Sequence, residues 1–104
     1  MITQVSEQQA TLAKLCRKYR VRRLHLFGAA ATDGFDVMTS DLDFVAEFAD
    51  TKQVDYADRY YDFAEALEQV FNRPVDLLTP GAIRNLYFRA EVERTAKVVY
   101  SLEM

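Results

Sequence analysis

From Asp41 to Phe48 hydrophobic and polar positions alternate, with Leu42, Phe44, Ala46 and Phe48 on one side and Asp41, Asp43, Val45 and Glu47 on the other. That period of two predicts a strand, opening at Ser40, with one face in the core and both aspartates on the opposite face. Upstream, Val21 to Phe27 reads as an apolar strand that ends in Gly28. Before it, Val5, Leu12, Leu15, Cys16 and Tyr19 recur at helical spacing, and Ser6 with Gln9 resembles a capping box. A helix is therefore expected from Thr3 or Ser6 to Tyr19. Val54, Ala57, Tyr61, Ala64, Leu67 and Phe71 mark the core stripe of a long helix over Gln53 to Phe71. Tyr56 and Tyr60 fall off that stripe, either covering its flank or forming an aromatic patch for a partner. Pro74 to Thr79 reads as a third strand, proline being tolerated at its start. Thr79-Pro80 opens a last helix, Gly81 to Thr95, with Ile83, Leu86, Tyr87, Ala90 and Val92 at helical spacing and Glu91–Arg94 as a surface pair. Lys97 to Ser101 closes the chain as an edge strand guarded by Lys97.

The chemistry of interest gathers around the first two strands. Asp41 and Asp43 sit about 6.5 Å apart along one strand and repel each other unless a cation lies between them. Hard oxygen ligands of this kind suit magnesium, which leaves further positions for water and substrate phosphates. Gly28 lets backbone approach a ligand closely. The run Ala29-Ala30-Ala31 favours helix, so a helix is expected to start after Gly28 with its N–H groups aimed at an anion. Asp76 interrupts the apolar run of the third strand, a costly position unless it is hydrated or paired. If that strand lies beside the second, Asp76 joins the other two carboxylates.

Leu26-Phe27-Gly28, a loop, and then Ser40-Asp41-Leu42-Asp43 resemble the pattern of the minimal nucleotidyltransferases, small members of the polymerase-beta-like superfamily. The likeness extends over nearly the whole chain, including Pro74-Val75-Asp76-Leu77 and Ala82-Ile83-Arg84-Asn85. It implies an α/β (α+β) fold, a small mixed sheet of about four strands flanked by helices. It also implies transfer of a nucleoside monophosphate, AMP from ATP, to a hydroxyl. Asp41, Asp43 and Asp76 would hold one or two Mg2+ ions, with Asp76 also taking the hydroxyl proton. Gly28, Ala29 and Ser40 would line the nucleotide, and Arg84 would reach phosphate. Two departures stand out. Ala29 occupies the family's serine position, and losing one hydrogen bond to a charged phosphate costs about 1.5–3 kcal/mol, so a weakened enzyme is expected. Leu86 stands where relatives often carry a helix-breaking proline.

Composition narrows the reading. The 104 residues are expected to form a single domain, 1–104, with one modest core. Half the residues are apolar and 12% aromatic, which is globular composition. A formal charge of −3 argues against a stable grip on nucleic acid while leaving a single nucleotide accessible through metal. The one cysteine, Cys16, has no internal disulfide partner and reads as core packing. With no apolar run near the roughly 18 residues of a membrane span, and no signal-peptide pattern at the start, a cytoplasmic setting is expected. His25, the one histidine, reads as a structural residue rather than a general base. Arg17, Lys18, Arg20, Arg22 and Arg23 complement the first helix's C-terminus, with contact to an acidic partner or a phosphate as the other reading. Asp33 and Asp36, beside the turn at Gly34, read as solvated loop groups.

A chain of this length leaves no room for a base- or acceptor-holding domain, so the acceptor is expected from another protein or from a second subunit in a homo-oligomer. Small members of the family pair with HEPN ribonuclease toxins, and some act as antitoxins by adenylylating a toxin tyrosine. The resemblance thus implies an antitoxin that modifies a HEPN partner. The alternative is a decayed binding module that neutralises the same partner by contact alone.

Overall fold

The computed structural model describes residues 3–31 and 41–102. In chain order these form α1 (Thr3–Ser6), α2 (Gln9–Tyr19), β1 (Val21–Phe27), a 3-10 turn (Gly28–Ala31), β2 (Leu42–Phe48), α3 (Tyr56–Phe71), β3 (Val75–Leu78), a second 3-10 turn (Pro80–Ala82), α4 (Leu86–Thr95) and β4 (Lys97–Ser101). The four strands make one mixed sheet in the order β3-β2-β1-β4, the α/β architecture expected. β1 runs antiparallel to both β2 and β4, whereas β2 and β3 are parallel. Parallel neighbours cannot be joined by a tight turn, and α3 is the crossover between them.

The period of two in β2 holds: Leu42, Phe44, Ala46 and Phe48 are buried with Leu24 and Leu26 of β1. This face packs against Leu12 and Cys16 of α2 and Phe63 and Leu67 of α3. Phe44 stacks on Phe71 and Phe48 meets Phe63 edge-on. A smaller apolar cluster, Phe27, Val45, Ile83 and Val92, lies under α4 on the opposite face. That second face, only partly covered, is the one that carries the aspartates.

Three helical expectations are corrected. The first helix is broken: α1 ends at Ser6, α2 begins at Gln9, and no side chain caps α2, so the Ser6–Gln9 capping box does not form. In the long helix Ala64, Leu67 and Phe71 of the expected stripe do face the core, but its first half is rotated: Phe63 faces inward and Tyr56 and Tyr60 lean on Phe48, while Val54 and Tyr61 are exposed. The residue that turns it is Arg59, buried to 7% exposure. Its guanidinium donates to the carbonyls of Tyr19 (3.0 Å), Ala49 (3.0 Å) and Asp50 (2.7 Å) and pairs with Asp55 (3.2 Å). Asp55 also accepts from Arg20 at 2.6 Å, so its carboxylate joins arginines instead of capping α3. In the last helix Asn85 interrupts: its side chain accepts from the amides of Tyr87 and Phe88, capping α4 and leaving only a 3-10 turn at Pro80. Leu86 and Tyr87 consequently point into solvent.

The basic cluster is largely answered within the chain. Arg20 pairs with Asp50 and Asp55, and Arg22 and Arg23 with Glu47. Arg20 itself adopts a left-handed conformation, φ 58°, where α2 turns into β1.

Candidate active site

The parallel pairing of β2 with β3 determines the site. In that register Asp43 stands opposite Asp76, followed by Phe44 opposite Leu77 and Val45 opposite Leu78. Leu77 is buried in the main core and Leu78 packs with the smaller cluster, so Asp76 shares Asp43's side of the sheet. One bond joins the strand starts, the Leu42 amide donating to the Pro74 carbonyl at 3.3 Å, and a second ties β3 to α3, the Val75 amide donating to the Glu68 carboxylate at 3.1 Å. Neighbouring strands lie about 4.8 Å apart, so two carboxylates in register are forced close.

Electrostatics record the crowding. The Asp43 carboxyl is pushed up from 3.8 to about 6, first by burial, then by the charge of Asp76 and that of Asp41. All three aspartates therefore act on one spot, although only Asp43 is partly buried while Asp41 and Asp76 are exposed. No group of three or more His, Cys, Asp or Glu side chains stands in metal-holding geometry among the described residues. The expected trio is a facing pair, Asp43 and Asp76, with Asp41 at the mouth of β2. The donor set nonetheless fits a hard divalent cation: oxygen ligands only, mutually repelling, one of them carrying an elevated pKa that a bound positive charge would reverse.

Gly28 closes the other side. Its backbone is left-handed, φ 70°, and a Cβ built on it would lie 2.9 Å from Asp43 Oδ2. Only glycine permits both the conformation and the approach. The element that follows is a four-residue 3-10 turn rather than the expected helix. Nor is the Gly28 amide aimed at the site, because it donates to Thr95 Oγ1 at 3.1 Å, and that hydroxyl donates to the Glu91 carbonyl at 3.0 Å. Thr95, buried on the last turn of α4, thus fixes the glycine beside Asp43. Sequence reasoning missed it, since a threonine near a helix end carries no distinguishing signal.

Ser40 lies outside the described residues, as do Asp33, Gly34 and Asp36. Arg84 is exposed between the second 3-10 turn and α4. His25 is half-buried opposite Val45, and burial together with Arg23 lowers its pKa. Cys16 is sealed in the core, its thiol pushed up to about 12 by burial.

Paired carboxylates beside an open-backbone glycine, on the partly covered face of a small mixed sheet, suit an enzyme that handles phosphate through a divalent cation. Comparison with known proteins makes the class definite: residues 9–99 match the nucleotidyltransferase domain family, and the chain belongs to it as a nucleotidyltransferase. It is 33% identical over 76 residues to the Methanocaldococcus jannaschii protein named "Putative protein adenylyltransferase MJ1379", covering 73% of this chain and 74% of that one. A second protein of that organism, "Putative protein adenylyltransferase MJ0128", is 32% identical over 79 residues, covering 76% of each. Among solved structures, a protein described as a "putative minimal nucleotidyltransferase" superposes with a TM-score of 0.71 at 23% identity, covering 88% of this chain and 89% of that one. A chain from a tri-AMPylated Shewanella oneidensis HEPN toxin in complex with MNT antitoxin gives 0.64 at 18% identity, covering 95% and 74%. A toxin–antitoxin structure with AMP-PNP gives 0.68 at 20% identity, covering 89% and 73%. These likenesses establish the shared fold. Among the described residues no helix is long and apolar enough to cross a membrane.

Proposed function

We propose that this nucleotidyltransferase moves AMP from ATP to a hydroxyl of a partner protein, a tyrosine of a HEPN toxin, and so acts as an antitoxin. The observation that carries the reading is Asp43 facing Asp76 across parallel strands, with Gly28 pressed against Asp43. The two M. jannaschii relatives support protein as acceptor. The AMP-PNP complex and the AMPylated HEPN toxin support the donor and the partner class.

In this reading Asp41, Asp43 and Asp76 would hold magnesium, which would supply neutralisation of the charge that develops in the displacement. Asp76, the most exposed member of the facing pair, accepts the proton of the tyrosine hydroxyl. The phenolic oxygen then forms a bond to the α-phosphorus as the bond to pyrophosphate breaks. Gly28 keeps the backbone low enough for phosphate to approach Asp43, and Ala29 and Ser40 complete the nucleotide's lining. Because the Gly28 amide is committed to Thr95, phosphate contacts from this turn come from the amides after it.

The alanine in the family's serine position favours a second reading, neutralisation by contact alone. Labelled ATP, magnesium and the candidate toxin separate the two. Label on the toxin that disappears with Asp43→Asn supports transfer; toxin inhibition that persists in that variant without any label supports contact.

A further inference from the structure

Beyond the carboxylate pair, the same face of the sheet holds a cleft of about 220 Å³ between β2 and α4. Its floor is Val45, Ile83 and Val92, and its walls carry His25, Glu47, Arg89 and Glu93. Val45 follows Asp43 by two residues on one face, so the cleft begins about 7 Å from the candidate centre. Its volume falls below the roughly 300–1,000 Å³ of sites that take a whole small molecule, but it has room for one large apolar side chain.

Charge decides which substrate enters. A nucleoside triphosphate needs cations, yet the cleft presents carboxylates on two walls. Its one arginine, Arg89, directs its guanidinium to the carbonyls of Pro80 (3.3 Å) and Ile83 (3.2 Å). Glu47 is answered by Arg22 and Arg23, whereas Glu93 has no ion-pair partner among the described residues. Burial and Arg23 hold the His25 imidazole below its ordinary pKa, so it adds no lasting positive charge near pH 7.

Resting on the transfer reading above, we infer that this cleft docks the acceptor: an apolar side chain near the modified tyrosine fills the Val45–Ile83–Val92 floor, and a basic residue beside it meets Glu93. The cleft is thereby the determinant of which tyrosine is modified.

The test uses fluorescein-labelled peptides containing tyrosine followed by leucine and arginine, together with versions in which arginine is replaced by glutamate or leucine by glycine. Anisotropy is read on the whole protein without nucleotide. The Leu/Arg peptide is expected to bind about tenfold more tightly than either variant peptide. Glu93→Lys, an exposed helix position, is expected to invert the arginine–glutamate preference while leaving the melting temperature unchanged. Equal binding of all peptides, or a preference untouched by Glu93→Lys, overturns the inference. Peptide binding that depends on Glu93 without label ever reaching a protein would sink the transfer reading, overturning the cleft's role in choosing a tyrosine and leaving it a peptide-docking site alone. Label transfer to the toxin with no peptide discrimination would do the reverse.

Discussion

Replacing Asp43 by asparagine should stabilise the metal-free protein while removing its activity. In the unfolded chain the Asp43 carboxyl titrates near 3.8, and in the fold near 6. Between those values the folded state binds more protons than the unfolded one, so stability falls as pH rises from about 4 to about 6, and the penalty is fully present above that. The shift from 3.8 to about 6 sets a ceiling of about 3 kcal/mol. Solvent still reaches the carboxyl, and screening brings the figure to about 1–2 kcal/mol. Asparagine keeps the shape and discards the charge, and no hydrogen bond to Asp43 is lost among the described residues. In chelator at pH 8, Asp43→Asn should therefore melt about 5–10 °C above the wild type, given roughly 4–8 °C per kcal/mol for a domain of this size. The gap should close at pH 4. Magnesium should then raise the wild type and leave the variant unmoved. A variant that melts at or below the wild type at pH 8, with the same offset at pH 4, would refute the crowding of Asp43 by Asp76 and Asp41.

Arg59→Met should cost about 3–5 kcal/mol in a urea titration, because three carbonyls and the Asp55 carboxylate lose a buried partner; a loss below 1 kcal/mol would mean that those groups rehydrate freely. Gly28→Ala should destabilise by about 1–3 kcal/mol through its positive φ. It should also displace Asp43, whose Oδ2 lies 2.9 Å from the new methyl position. An alanine variant that keeps full transfer activity would contradict the close approach. Cys16 should resist iodoacetamide at pH 8 in the native state and react only on unfolding, since its thiol is buried and held near 12. Rapid native-state alkylation would place it outside the core.

Much of the fold is legible in the sequence where burial is one-sided. β1, β2 and β4 end within a residue or two of their expected bounds because each alternates or runs apolar between clear breakers. Helix interiors are less legible. An arginine in the first turn of a helix reads as solvated, so nothing in the sequence reveals Arg59 as the clamp between α2, the end of β2 and α3, and the first half of the stripe is misplaced. Asn85 ahead of Leu86 is a readable cap that the longer apolar periodicity overrode. In the candidate site, Asp43 is visible as the polar side of a strand, but its meeting with Asp76 depends on the β2–β3 register, a non-local pairing that spacing alone does not specify. Thr95's grip on Gly28 is likewise tertiary, bridging 67 residues of chain.

The most direct measurement is transfer of label from ATP to the candidate toxin, in magnesium, by the wild type and by Asp43→Asn and Asp76→Asn. If the facing carboxylates form a catalytic centre, the toxin tyrosine gains AMP with the wild type, and each variant loses that transfer while still binding the toxin. Undiminished labelling by either variant, or an unlabelled toxin that the wild type nevertheless silences, would show that the pair performs no chemistry.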